Sequence, residues 1–291
     1  MTECPKCGFE AGFESECARC GVVFSRWRAP TPAAVAGPVT TPEPELEAPA
    51  IEEAPRAPLI DSLGWGSFGS GLVAAFLALQ FWPTQAALSA MTTLVHEMGH
   101  AAFGWLFGYP SIPAFDFSYG GGVTLHRDRI ALLSTAVAAA LAYGAYALRE
   151  RAPLRNALLA ALALYVPLAL TRGHEAAILA MGHGGELCFA TLALHRALSG
   201  RGCKLEVERP LYGLVGWFIV LSDARFAWRL RTSSLHRELY EDAKGGGHWM
   251  DFSRLADEFF HVPLDTITAV FLALLVAPPL AALALQRLRR D

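Results

Sequence analysis

Residues 86–107 read AALSAMTTLVHEMGHAAFGWLF. The run has the length of a membrane crossing, which takes about 20 apolar residues, yet His96, Glu97 and His100 stand in its middle. Ionisable side chains inside an apolar helix are costly and need partners, so the same segment sets the class of the protein and marks its candidate site. At about 3.6 residues per turn, His96 and His100 fall on one helix face. Two imidazoles so placed can share a metal ion, with Glu97 beside them as general base toward a water. Gly99, Ala101 and Ala102 are small and let a neighbouring helix approach closely. The competing reading is a polar cluster that only hydrogen-bonds between helices.

Further apolar runs lie on both sides: Trp65–Phe81, Ile130–Leu148, Leu158–Leu170, residues 174–198, Leu211–Trp228 and Leu264–Leu285. Of the 291 residues 53% are hydrophobic and 18% charged, against about 45–50% and about 25% in a soluble domain. Composition therefore excludes a disordered chain and a disulfide-stapled miniprotein, and a net charge of −3 does not suggest a nucleic-acid binder. The expected fold is an all-α polytopic membrane protein with about six or seven transmembrane helices. One loop breaks the pattern. Phe115-Asp116-Phe117-Ser118-Tyr119 alternates apolar and polar residues, three glycines follow, and then Val123-Thr124-Leu125, which predicts a short β-hairpin against the alternative of a plain glycine-rich loop.

Three zones are expected: a Cys-rich module at 1–27, a Pro/Ala/Glu-rich linker at 28–60 and a membrane-embedded domain at 61–291. In the first, Cys4-Pro-Lys-Cys7-Gly and Cys17-Ala-Arg-Cys20-Gly form two CxxC knuckles. Four thiolates make a closed tetrahedral zinc site, structural rather than catalytic, and a module this small draws most of its folding energy from the metal. A zinc ribbon is expected in preference to a redox dithiol, recruiting a protein partner that the sequence does not name. No apolar stretch follows the first residues, so the N-terminus is expected in a reducing cytoplasm, with the chain in the inner or cytoplasmic membrane.

HEMGH within an apolar helix, with small residues after it, a hairpin and further apolar helices, resembles the site-2 protease family of intramembrane zinc metallopeptidases. The resemblance covers roughly residues 86–200. It implies cleavage of membrane-anchored substrates, His96 and His100 as ligands of a catalytic zinc and Glu97 as general base. The family takes its third ligand from an Asp-Gly motif on a later helix, and no Asp-Gly occurs in this chain.

The third ligand must then come from elsewhere. On a helix through 174–198, Glu175, Gly182, His183 and Glu186 line up as one polar stripe, so that one of His183 and Glu186 binds zinc while the other orients a ligand or the water. Asp223 is a second candidate, weighed against an ion pair with Arg225 or a neighbouring arginine. Asp265 is a third, weighed against helix capping; Asp116, in the predicted hairpin, reads as an interfacial residue. Residues 229–261, rich in charge and including His248 and His261, read as an interfacial or aqueous loop with one amphipathic helix. Two other functions use the same residues: a non-catalytic membrane scaffold that recruits a partner through the ribbon, and a metal transporter with the His/Glu cluster as transit site. A base between the histidines favours the hydrolase, because transit does not require one.

Overall fold

A computed structural model describes residues 59–117, 121–242 and 250–287, and, near the N-terminus, residues 2–4, 6–7, 10–11, 15–17 and 19–28. The expected linker falls almost wholly outside the described residues. The chain divides into two units, Met1–Arg56 and Ala57–Asp291. In the first, strands β1 (Thr2–Glu3) and β2 (Glu10–Ala11) pair antiparallel, and a 3-10 turn covers Phe24–Arg26.

The second unit is helical. Helices α1 (Ser62–Ala78) and α2 (Trp82–Leu106) come first, then strands β3 (Ser111–Phe115) and β4 (Gly122–His126). Four long helices follow: α3 (Ala131–Ala147), α4 (Ala152–Leu170), α5 (Gly173–Ser199) and α6 (Glu208–Thr232). A short α7 (Ser234–Glu241) precedes α8 (Asp251–Arg254), which runs on as a π-helix through Leu255–Phe260. Helices α9 (Leu264–Leu274) and α10 (Ala277–Arg287) end the described chain.

Every apolar run expected to be helical is helical, but the number of crossings is not met by length and apolarity alone. Three stretches are long and apolar enough to cross a membrane: α4, α5, and α9 with α10 taken together as Leu264–Arg287. Helices α1 and α2 qualify only as a pair, bent by 111° at the break between them, which makes up to four. Pro83 causes that break: it has no N–H to continue α1, yet suits the first turn of α2. Helix α3 has 17 residues, about 25 Å of rise at about 1.5 Å each, short of a core about 30 Å thick. Helix α6 is long enough but carries Glu208, Arg209, Asp223, Arg225, Arg229 and Arg231.

Helix α5 is central, packing on α1, α2, α4, α6 and α10. The tightest approaches use glycine. A Cβ on Gly99 of α2 would lie 1.9 Å from the Met181 carbonyl oxygen of α5, and one on Gly71 of α1 would lie 2.4 Å from the Gly213 carbonyl carbon of α6. Such spacing is the small-residue packing that apolar helices use where lipid offers no hydrophobic drive.

The hairpin forms, in a different register from that expected. Its first strand is Ser111–Phe115, paired from Ser111↔His126 to Phe115↔Gly122. Phe115 ends that strand, Asp116 and Phe117 lie beyond it, and Ser118 and Tyr119 lie outside the described residues. Pairing starts earlier because Trp105 Nε1 donates to the Ser111 carbonyl and the Arg127 N–H to the Pro110 carbonyl, which fix the start of the ladder. Both strands lie against α2.

One polar clamp fastens α1 to α6. Asp61 caps α1, accepting from the Gly64 N–H at 2.7 Å, and takes Arg209 bidentately at 2.6 and 2.8 Å. The Arg209 guanidinium is buried and also donates to the carbonyls of Ala197 and Leu198. The hydrogen bonds from Arg209 hold the Asp61 carboxyl below the usual range, against a smaller opposing effect of burial. A depressed folded-state value means a contribution present above the unfolded pKa and lost as pH falls through the folded one. Asp61→Ala should cost about 1–2 kcal/mol at pH 7, combining a lost cap and a half-exposed ion pair. Thermal unfolding in detergent should show a midpoint a few degrees lower, with the difference from wild type shrinking below the normal carboxylate range.

Candidate metal centre

His96 and His100 project from α2 toward α5, as their spacing requires. Each ring is fixed through Nδ1. His100 Nδ1 lies 2.8 Å from the Ile178 carbonyl oxygen, so it donates; His96 Nδ1 faces Glu186 Oε2 at 3.3 Å. A neutral imidazole that donates through Nδ1 carries a lone pair on Nε2. The two Nε2 atoms lie 3.0 Å apart, and Asp251 Oδ2 lies 2.9 Å from His96 Nε2 and 3.0 Å from His100 Nε2. Three electron-pair donors thus converge on one point.

The donor set suits zinc, which takes imidazole nitrogen and carboxylate oxygen at about 2.0–2.2 Å. The surroundings leave room on one side: a Cβ on Gly182 would stand 2.4 Å from His100 Nε2 and 2.5 Å from His96 Nε2. Glycine at 182 keeps that volume clear.

Glu97, the next residue after His96, is buried and turned toward the hairpin. The Thr124 hydroxyl lies 2.6 Å from Glu97 Oε2 and 3.0 Å from the Glu97 carbonyl oxygen, both acceptors for its one proton. A Cβ on Gly122 would stand 2.4 Å from Glu97 Oε1. Strand β4 therefore seats the carboxylate through one hydroxyl and one missing side chain.

Of the third ligands expected on α5, His183 has a ring nitrogen within 4.8 Å of donor atoms of both His96 and Asp251. Asp251 of α8, which was not expected, meets the two histidines of α2. Glu186 Oε2 faces His96 Nδ1 at 3.3 Å and accepts from His183 Nδ1 at 2.7 Å. His183 lies close by, its ring 4.6 Å from that of His96, and is walled by Phe226, Phe252 and Phe271. Asp223 is buried, and its expected pairing with Arg225 is not made: residues two apart on a helix face different ways, and Arg225 donates to the Leu79 carbonyl. Asp265 faces Arg237 and Arg231 at 3.3 and 3.7 Å. Asp116 lies just past β3, His261 is exposed with a left-handed backbone, and His248 lies outside the described residues.

Asp251 escaped sequence reading because no glycine follows it and it opens a charged stretch. One signal was present: Phe252, Leu255 and Phe259 recur at helical spacing directly after it and pack into the core that also holds Leu230 and Tyr240. The Phe252 N–H donates to the buried Tyr240 hydroxyl at 3.1 Å, anchoring the residue next to Asp251.

In the N-terminal unit, Cys4 Sγ lies 3.6 Å from Cys20 Sγ, and Cys7 Sγ lies 3.8 Å from Cys17 Sγ. These separations are too long for disulfides, at about 2.05 Å, and match tetrahedral ligands each about 2.3 Å from a zinc. All four thiols lie within 4.8 Å of one another. Burial pushes Cys4 up, but the N–H groups of Lys6 and Cys7 and the facing thiols pull it down to about 6. The Val22 N–H pulls Cys20 down, but burial and its neighbouring thiols push it up to about 12, so that one thiolate forms at the expense of the next.

Asp251→Ala should lower zinc retention after gel filtration as severely as His100→Ala, while Asp265→Ala leaves it unchanged. Gly182→Ala should also lose the ion, since the new methyl occupies the space beside both Nε2 atoms. Compared with family models, with curated proteins and with solved structures, the chain matches none.

Proposed function

We propose that this protein is a zinc-dependent intramembrane endopeptidase, similar in its chemistry to the site-2 proteases, that cleaves membrane-anchored protein substrates. The observation that carries this reading is the meeting of His96 Nε2, His100 Nε2 and Asp251 Oδ2 within 3.0 Å, one residue from a buried glutamate.

Held by His96, His100 and Asp251, a zinc ion would supply Lewis acidity toward a carbonyl and would lower the pKa of a water toward about 7. Glu97 takes the proton of the attacking water and returns it to the leaving amine. Thr124 fixes the Glu97 carboxylate and leaves Oε1 clear of it. Glu186 and the Ile178 carbonyl hold the two imidazoles in the tautomer that presents Nε2. The helices around the site exclude bulk water, which strengthens each of these interactions. Three helices long and apolar enough to cross a bilayer, or four with the bent pair, support a site within the membrane domain. The four-cysteine module is a zinc ribbon on the cytoplasmic side, a recruiting element for a protein partner.

The test uses full-length protein in proteoliposomes with a pool of single-span peptides, cleavage being read by mass spectrometry. Wild type should cut members of the pool, and Glu97→Gln should cut at least about 100-fold more slowly while keeping its zinc. Equal turnover by Glu97→Gln, or no cleavage by zinc-loaded wild type, would overturn the reading in favour of a scaffold. Thr124→Val should slow cleavage about tenfold or more with zinc intact, and Thr124→Ser should restore it.

A further inference from the structure

A second group of donors lies next to the first. His183 and Glu186 of α5 and Asp223 of α6 each offer an atom within 4.8 Å of the other two. Glu186 and Asp223 are 5% and 6% exposed. Glu186 is served by the two histidines. Asp223 is not: its Oδ2 is buried and has no hydrogen-bond partner among the described residues. Arg225, the nearest cation along α6, is committed to the Leu79 carbonyl.

An unpaired carboxylate buried in an apolar bundle is expensive and calls for a proton or a cation. A proton on Oδ2 would leave a buried O–H with no acceptor, since Oδ2 has no hydrogen-bond partner among the described residues. His183 Nδ1 lies 2.7 Å from Glu186 Oε2, a hydrogen bond that an ion bound between them would replace. One imidazole and two carboxylates form a mixed nitrogen and oxygen donor set, which zinc and neighbouring transition ions accept.

We propose that His183, Glu186 and Asp223 bind a second divalent transition-metal ion, separate from the one at His96, His100 and Asp251. The ion neutralises both carboxylates, and because Glu186 Oε2 also faces His96 Nδ1, its presence bears on how firmly that ring is held. Asp223 sets this site apart from the first, while His183 also has a donor atom within 4.8 Å of donor atoms of His96 and Asp251.

The test is metal content per chain by mass spectrometry, on full-length protein prepared in detergent with excess zinc and freed of loose metal. Wild type should hold three zinc ions, Asp223→Asn two and Asp223→Glu three. His100→Ala should hold two, and His100→Ala with Asp223→Asn one, left on the cysteines. Two ions in wild type, no change in Asp223→Asn, or a loss of two in Asp223→Asn would each overturn the proposal. If His100→Ala loses nothing while Asp223→Asn loses one, the second site stands and the peptidase reading fails.

Discussion

His96 Nε2, His100 Nε2 and Asp251 Oδ2, which meet within 3.0 Å, are the constraint around which the helical unit is arranged. With Nδ1 of His100 donating to the Ile178 carbonyl and Nδ1 of His96 facing Glu186, neutral rings would present lone pairs at His96 Nε2 and His100 Nε2 beside Asp251 Oδ2. Such an arrangement is repulsive by itself. A cation at the common point turns repulsion into coordination, and the surrounding structure holds the donors there.

Much of the domain is explained by that requirement. Helix α2 supplies two histidines a turn apart. Helix α5 supplies the Ile178 carbonyl and Glu186 that fix their tautomers, and its Gly182 leaves the space beside them open. Gly99 lets the two helices approach closely enough for those hydrogen bonds to form. The hairpin seats Glu97, and the Phe252–Tyr240 hydrogen bond anchors the turn that carries Asp251. Each element touches a different edge of one site, so a shift of about an ångström in any of them separates donors that must act together.

Local chemistry was legible in the sequence and distant juxtaposition was not. The shared face of His96 and His100 follows from helical period, and the closeness of the four cysteines from two knuckles. Glu186 was legible as half of a pair with His183, in which one member orients the other's neighbour. Asp251 was not, because its place depends on how a segment more than a hundred residues beyond His100 packs back against α2 and α5, and periodicity carries no such information. Thr124 was hidden for the same reason: its role depends on the register of β4, and the apparent alternation placed the first strand too late. The helices were readable from apolarity, while their ability to cross a membrane also depends on length, bend and charge, which removes α3 and α6 from the count and joins α1 to α2.

The most direct measurement is anomalous diffraction at the zinc edge on crystals of the full chain, with the cysteine module as an internal reference. The account predicts a peak about 2.0–2.2 Å from each of His96 Nε2, His100 Nε2 and Asp251 Oδ2. A peak at the four cysteines with none between the two histidines and Asp251 would contradict it.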